Sequence, residues 1–359
     1  MKKYILLMLL PVFMEAKAQD STQGNPVSFS GYAELYYVKD FNGSANHLRP
    51  GFLYSHNRSG EVTLNLGYLK AAYANGAVRA NLALAAGTYM NANLSAEQGV
   101  FRNLYEANAG VKLSRKSELW ADAGIFASHI GFESAAGKDC WNLSRSLLAE
   151  NSPYYEAGLR LAYTTPDGKW YFAGLILNGW QRIHRPDGNT TPAFGTQVTW
   201  KPNQGVTLNS STFIGNDQPD SLKRMRYFHN FYGIFQLNRA LAATVGLDAG
   251  MEQASKGSAR MNTWYSPVLI LKLNTSEKTS LAARVEYYSD KQGVLISSGT
   301  VNGFQVWGLS ANFDVYINAN ATWRIEARNF SGRDKIFLRD NSQAVANNFF
   351  ASTAFMIAF

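Results

Sequence analysis

The chain of 359 residues carries a formal charge of +8, one cysteine, 13% aromatic and only 17% charged side chains. A lone Cys140 excludes an intramolecular disulfide, and the modest basic excess lacks the charge blocks of a nucleic-acid binder. Past the N-terminal segment no apolar run approaches the roughly eighteen residues of a membrane helix, and with no linker or composition shift the chain reads as a single all-β unit.

The chain opens with Lys2 and Lys3, an apolar stretch from Tyr4 to Phe13, and Ala16-Lys17-Ala18. A basic start, a short apolar core and an Ala-x-Ala site predict a signal peptide over 1–18, with 19–359 as the exported domain. Gln19, not cysteine, would follow the cut, which speaks against a lipid anchor.

Residues 27–38 place Val27, Phe29, Gly31, Ala33, Leu35 and Tyr37 on one phase and Ser28, Ser30, Tyr32, Glu34 and Tyr36 on the other. Successive strand side chains point to opposite faces, so this is a strand with one apolar and one polar face. The pattern recurs at about 60–73, 77–88, 103–113, 117–127, 154–164, 169–180, 193–201, 205–215, 226–238, 240–252, 262–273, 278–289, 303–316, 320–331 and 347–359. Alternation is least clean at 60–73 and 226–238. No helical segments stand between these strands to cover their apolar faces.

The connections alternate in length. Ala74-Asn75-Gly76, Ser114-Arg115-Lys116, Pro166-Asp167-Gly168 and four more are short and rich in turn formers, whereas about 39–59, 89–102, 128–153, 181–192, 216–225, 253–261, 290–302 and 332–346 are long and polar. An even number of strands with short turns on one side and long loops on the other predicts an antiparallel up-and-down transmembrane β-barrel of about sixteen strands, with periplasmic turns and extracellular loops. Closure also removes the aggregation hazard of an apolar last strand, because every backbone group is paired around the ring. That strand, with its apolar stripe and terminal Phe359, resembles the recognition signal that outer-membrane proteins present to their insertion machinery. Tyr154, Tyr155, Trp170, Tyr171, Trp180, Trp200, Tyr227, Phe228, Tyr287 and Trp323 lie near strand ends, as girdle residues at a lipid interface do.

If the apolar phase meets lipid, ionisable residues belong on the other. Glu34, Arg79, Glu106, Lys112, Asp122, Glu156, Arg160, Asp248, Glu252, Lys272, Arg284, Glu286, Asp314, Arg324, Glu326 and Arg328 all follow that phase. A sixteen-stranded lumen stays aqueous unless something fills it. The interval 128–153 is the longest without alternation, and it is read as a third loop folded into the lumen, with Asp139 capping a helix that carries Trp141 and Leu143 to Leu148. Loop residues Glu133, Asp139, Arg145 and Glu150 are then set against Arg79, Glu106, Asp122, Glu156, Arg160, Arg284, Glu286, Arg324, Glu326 and Arg328 of the wall. The expectation is a charged constriction, its alternative simple pairing of these charges along the wall.

The runs Gly124-Ile125-Phe126-Ala127-Ser128-His129-Ile130-Gly131-Phe132-Glu133-Ser134, Ala149-Glu150-Asn151-Ser152-Pro153-Tyr154-Tyr155-Glu156-Ala157-Gly158 and Leu177-Asn178-Gly179-Trp180-Gln181, with Phe52 to Arg58, resemble the OmpL-like β-barrel porin-2 group of Bacteroidetes. The resemblance covers essentially the whole exported chain. It implies an outer-membrane porin and carries no solute-binding residues with it.

The function expected is passive diffusion of small hydrophilic solutes, with outer-membrane lipid and lipopolysaccharide as surroundings and homo-oligomers left open. No cofactor, metal or nucleic-acid partner is expected: no histidine pair has metal-ligand spacing, His129 reads as a positioning residue and Cys140 as a small buried side chain. Two other classes stay open. A sugar- or anion-selective channel or an adhesin would use Trp141, Tyr154, Trp180 and His184 as stacking platforms. A barrel hydrolase would need a serine beside a base, and Ser55-His56 and Ser128-His129 are adjacent pairs whose side chains would point apart in a strand.

Overall fold

The computed structural model describes residues 25–43, 46–340 and 342–359; the segment 1–18 expected to be a signal peptide lies outside the described residues. In chain order the elements are β1 Val27–Asp40, β2 Val62–Asn75, β3 Val78–Ala86, α1 Thr88–Asn93, β4 Leu104–Lys112, β5 Glu118–Ala127, α2 Leu147–Glu150, β6 Tyr155–Thr164, β7 Trp170–Leu177 and β8 Ala193–Asn203. There follow β9 Val206–Gly215, β10 Arg226–Gln236, β11 Leu241–Gln253, β12 Met261–Asn274, β13 Thr279–Asp290, β14 Phe304–Tyr316, β15 Ala321–Gly332, β16 Phe337–Leu338, β17 Ala344–Val345 and β18 Asn347–Ala358.

Sixteen of these strands close one antiparallel barrel, in which each neighbours the next along the chain. The ring shuts where β1 meets β18, with Tyr32 opposite Ala358 and Asp40 opposite Phe350. β16 and β17 stand apart as a small hairpin in the last long loop. Each of the sixteen predicted segments coincides with a barrel strand to within a few residues.

The outer wall is apolar because every second residue faces lipid. Phe29, Leu69, Leu82, Leu159, Ile176, Leu247, Leu309 and Ile357 are all exposed there. Trp170, Trp200, Tyr227 and Trp323 join this wall, and Trp170 stacks on Trp200 at 5.4 Å. Tyr154, Tyr155, Trp180 and Phe228 do not: Tyr155 and Phe228 belong to the buried core, Tyr154 packs against it half-buried, and Trp180 packs edge-on against Phe213 and Phe228. The girdle expected from them is therefore smaller, since large rings near strand ends also serve the interior.

Both poorly alternating segments have a local cause. In β2 the pairing with β1 shifts between Glu34 and Leu35, so that Asn65 and Leu66 are both buried at a bulge. In β10 the inward face mixes buried Arg226 and Asn230 with Phe228 and Tyr232, and these two rings are covered by Trp180 and Phe132 from the loops. A polar patch interrupts the outer wall: Thr196 bonds Thr212 at 2.6 Å and Ser210 bonds the exposed His229 at 2.8 Å.

Candidate functional site: the charged lumen and its inward loop

The interval 128–154 enters the barrel interior. Its start is fixed by His129, whose Nδ1 lies 2.8 Å from Glu156 of β6 and whose Nε2 lies 2.8 Å from the Thr212 carbonyl of β9. Burial pushes the imidazole pKa down, but the Glu156 carboxylate and the Thr212 carbonyl outweigh it and hold the ring above its ordinary value. Gly195 permits this approach, since a Cβ there would stand 2.6 Å from Nε2.

From this anchor the loop crosses to the inward face of β12 to β15. Leu148 and Ala149 pack on Val268 and Ile270, with Phe132 and Trp141 beside them. Fully burying a leucine contributes about 1.5–3 kcal/mol, so this apolar contact is a substantial part of the hold. The remainder is polar and follows a simple rule: wall acids take loop N–H groups and wall arginines take loop carbonyls. Glu326 accepts from the Ser144 amide at 2.6 Å and Glu286 from the Leu147 amide at 2.6 Å. Arg284 donates to the Ser144 carbonyl and Oγ, and Arg324 to the carbonyls of Gly137, Cys140 and Asn142 at 2.7–3.2 Å. Arg328 donates to the Arg145 carbonyl and Ser144 Oγ.

The same wall charges also pair with one another. Arg284 lies 3.0 Å from Glu326, Arg324 holds Asp314 through Nε and Nη2 at 2.8 and 2.7 Å, and Arg328 bonds Glu286. All six side chains are shut from water. Such pairs in a low dielectric require every remaining lone pair and proton to be met, and the loop backbone meets most of them.

Within the loop, Arg145 is a clasp: its guanidinium donates to the carbonyls of Ser134, Ala135 and Leu143. Glu133 accepts from Ser146 and lies 3.8 Å from Arg284. The helix expected behind Asp139 is placed elsewhere. Residues 137–139 form one 3-10 turn, Asp139 pairs with Lys138 in the open, and α2 is capped by Ser146, whose Oγ accepts from the Ala149 amide. Glu150 reaches out to the first loop, taking the Tyr54 amide at 2.8 Å and the Ser55 amide at 3.1 Å. Burial pushes its carboxyl up to about 7 against the pull of these amides.

The opposite side of the lumen differs. Arg79 grips Asp122 by two bonds of 2.7 Å, Arg160 meets the same carboxylate at 3.1 Å, and Lys70 bonds Glu106 at 2.5 Å. Lys70, Arg79 and Arg160 keep 26%, 34% and 23% of their side chains exposed, against 0% for Arg284 and Arg328. Two arginines on one aspartate leave a net positive charge there. Lys70 was missed in the sequence, because the bulge at Asn65 breaks the phase that would have placed it inward.

Neither adjacent Ser-His pair acts as one. His56 Nε2 rests on Glu34 at 2.8 Å and His129 on Glu156, and both rings are buried. Among the described residues no three His, Cys, Asp or Glu side chains gather as a metal site. Cys140 is buried with Sγ on the Ser134 carbonyl, and burial pushes its thiol up to about 11.

An antiparallel barrel with an apolar outer wall and a charged interior is the architecture of an outer-membrane diffusion channel. The model of the family described as "Putative beta-barrel porin-2, OmpL-like" matches residues 26–359, and the chain belongs to that family. It is a porin of the bacterial outer membrane. Similar solved structures include an anion-selective porin from Comamonas acidovorans at TM-score 0.60 and 8% identity, covering 93% of this chain and 99% of that one. OmpT of Vibrio cholerae in its trimer form matches at 0.60 and 9%, over 93% and 99%, and Salmonella typhi OmpF in complex with daunomycin at 0.55 and 10%, over 93% and 97%. At such identities the likeness is one of fold. A search of curated proteins finds no match.

Proposed function

We propose that solutes pass along the β2 to β8 side of the lumen and that the charges they meet are Lys70, Arg79 and Arg160 with Glu106 and Asp122. The observation carrying this reading is the contrast in exposure between the two walls: the three cations opposite the loop keep roughly a quarter to a third of their surface, while Arg284 and Arg328 keep none. Among the residues expected to line a constriction, Arg284, Glu286, Arg324, Glu326, Arg328, Glu133, Arg145 and Glu150 then act by holding the loop, and Glu156 by holding its start. Asp139 and Lys138 stand in the open on the same loop. A narrow, weakly anion-preferring pore follows, because uncompensated positive charge in a confined path attracts anions.

Reversal potentials across planar bilayers in a salt gradient test this. The wild type prefers chloride, Arg79→Gln with Arg160→Gln moves the preference toward potassium, and Arg324→Ala with Arg328→Ala, which frees the loop, raises conductance without reversing the preference. A shift confined to the second pair would assign selectivity to the loop-bearing wall instead.

The remaining readings belong with this one. The signal peptide over 1–18, the Bacteroidetes source, recognition of the last strand by insertion machinery and contact with lipopolysaccharide rest on the motifs quoted above. Solute passage without chemical conversion is supported by the engagement of both adjacent histidines on carboxylates. Association of barrels is supported by the polar cluster of Thr196, Thr212, Ser210 and His229 on a wall that otherwise meets hydrocarbon.

A further inference from the structure

The lipid-facing wall of β13 to β18 carries a trough of about 430 Å³. Its floor is Ala283, Ala311 and Ala327, set opposite one another in neighbouring strands. Val285, Leu309 and Phe349 stand along one bank, and Phe313 and Ile325 face the same way two residues beyond the floor on the other side. Large side chains on both banks and methyl groups between them leave a channel open to hydrocarbon.

The same register continues past both ends of the floor. Leu271 lies opposite Ala283 near the turn end of β12, whereas Ala327 meets Ala351, and Ala351 meets Lys39, the next-to-last residue of β1 at its loop end. The trough therefore slants across the wall toward the outer surface. From β12 to β18 it crosses four strand spacings, about 19 Å at roughly 4.8 Å each, which is the reach of a long acyl chain.

Two polar side chains mark the outer part of this line. From β12 round to β1, Lys39 is the one charged side chain on the outward phase of a strand; it is exposed and pairs with no carboxylate among the described residues. Deep in a bilayer a lysine on this face would be costly, but at the interface it costs little and can meet the phosphate of a lipid headgroup. The rings of Phe41 and Phe349 pair beside it at 5.2 Å, as aromatics at the headgroup level do. Asn329 lines the trough between Leu309 and Phe349, and its carboxamide has no partner among the described residues. An unpaired amide facing hydrocarbon is unfavourable, so a polar atom of the occupant suits this position.

We infer that the trough seats one acyl chain of lipid A, with a phosphate on the Lys39 ammonium and the amide or ester linkage of the chain on Asn329. Lys39 stands at the loop end of the barrel, hence on the side of the outer leaflet, and the charge it offers selects a phosphorylated headgroup. The inference rests on the reading that this barrel contacts lipopolysaccharide and adds to it a place and a chemistry.

Native mass spectrometry of the full-length barrel, freed of lipid in detergent and titrated with diphosphorylated hexa-acyl lipid A, tests it. The wild type should retain one molecule saturably, and dephosphorylated lipid A or phosphatidylglycerol should bind at least fivefold more weakly. Lys39→Gln should lose that preference and Lys39→Arg should keep it. Ala311→Leu with Ala327→Leu, which fills the trough from the lipid side, should weaken lipid A at least fivefold while the barrel keeps its heat-modifiable mobility on gels. Ala109→Leu with Ala123→Leu, an outward pair on the far wall, should not. Saturable lipid A binding that neither Lys39→Gln nor the filled trough weakens would leave contact with lipopolysaccharide standing and overturn this seat. Equal binding of the dephosphorylated form or of phosphatidylglycerol by the wild type would overturn it as well, and no saturable binding of lipid A by the wild type would overturn both.

Discussion

The Arg328 guanidinium donates to the Arg145 carbonyl at 2.8 Å, so two residues of like charge are joined through a backbone oxygen with no acid between them. The wall treats the loop as backbone, and the identity of most loop side chains matters less than where their carbonyls fall.

Removing the donors should therefore release the loop. Arg324→Ala leaves three loop carbonyls without their donor and Asp314 without its pair. Breaking a buried pair on one side costs about 3–5 kcal/mol. The expected outcome is a lower unfolding temperature in detergent and a larger, noisier single-channel conductance, with Arg324→Ala and Arg328→Ala together exceeding either alone.

Glu150 predicts a pH dependence. Its carboxyl is raised from 4.5 to about 7 when folded, so the folded state binds the extra proton and stability falls as pH climbs through that window. The contribution is fully present below about 4.5 and gone above about 7. Unfolding temperatures at pH 5 and pH 8 should differ in the wild type, and Glu150→Gln should narrow the difference. A wild type more stable at pH 8 would contradict this.

Cys140 reports on the same loop. A neutral, buried thiol reacts slowly because the thiolate is the nucleophile. Iodoacetamide should leave the native barrel unlabelled over hours and modify it fully once denatured, with Arg324→Ala in between. Rapid labelling of the native protein would mean that the loop opens readily.

Gly195 predicts a loss at the loop's other end. A Cβ at 2.6 Å from His129 Nε2 forces the ring away from the Thr212 carbonyl. Overpacking of this kind costs about 1–3 kcal/mol. Gly195→Ala should lower the unfolding temperature, and His129→Ala in that background should recover part of the loss.

The strands were readable because lipid on one side and a polar interior on the other impose a period of two on the chain. That signal failed where the cause failed: at Asn65, where a bulge puts two neighbours inside, and along β10, where Phe228 and Tyr232 face an apolar cover. The phase of Arg284, Arg324 and Arg328 was equally plain, but phase cannot tell water from a buried loop. Their partners lie some 140 to 187 residues away, beyond any local pattern. The cap was read at Asp139, and only packing of the loop on the wall placed it at Ser146.

The β1–β18 seam has a consequence for how the molecule is made. Its two sides are more than 300 residues apart in the chain, and the strands that grip the inward loop, β13 to β15, are among the last to be synthesised. The loop's binding partners therefore stand beside the seam, with β15 pairing directly with β18. A chain truncated ahead of β13 would offer the loop neither its acids nor its arginines, and one lacking only β18 would hold a docked loop inside a sheet still open at one edge. Loop docking and closure of the wall thus involve neighbouring strands, and weakened docking should appear as slower assembly as well as altered transport.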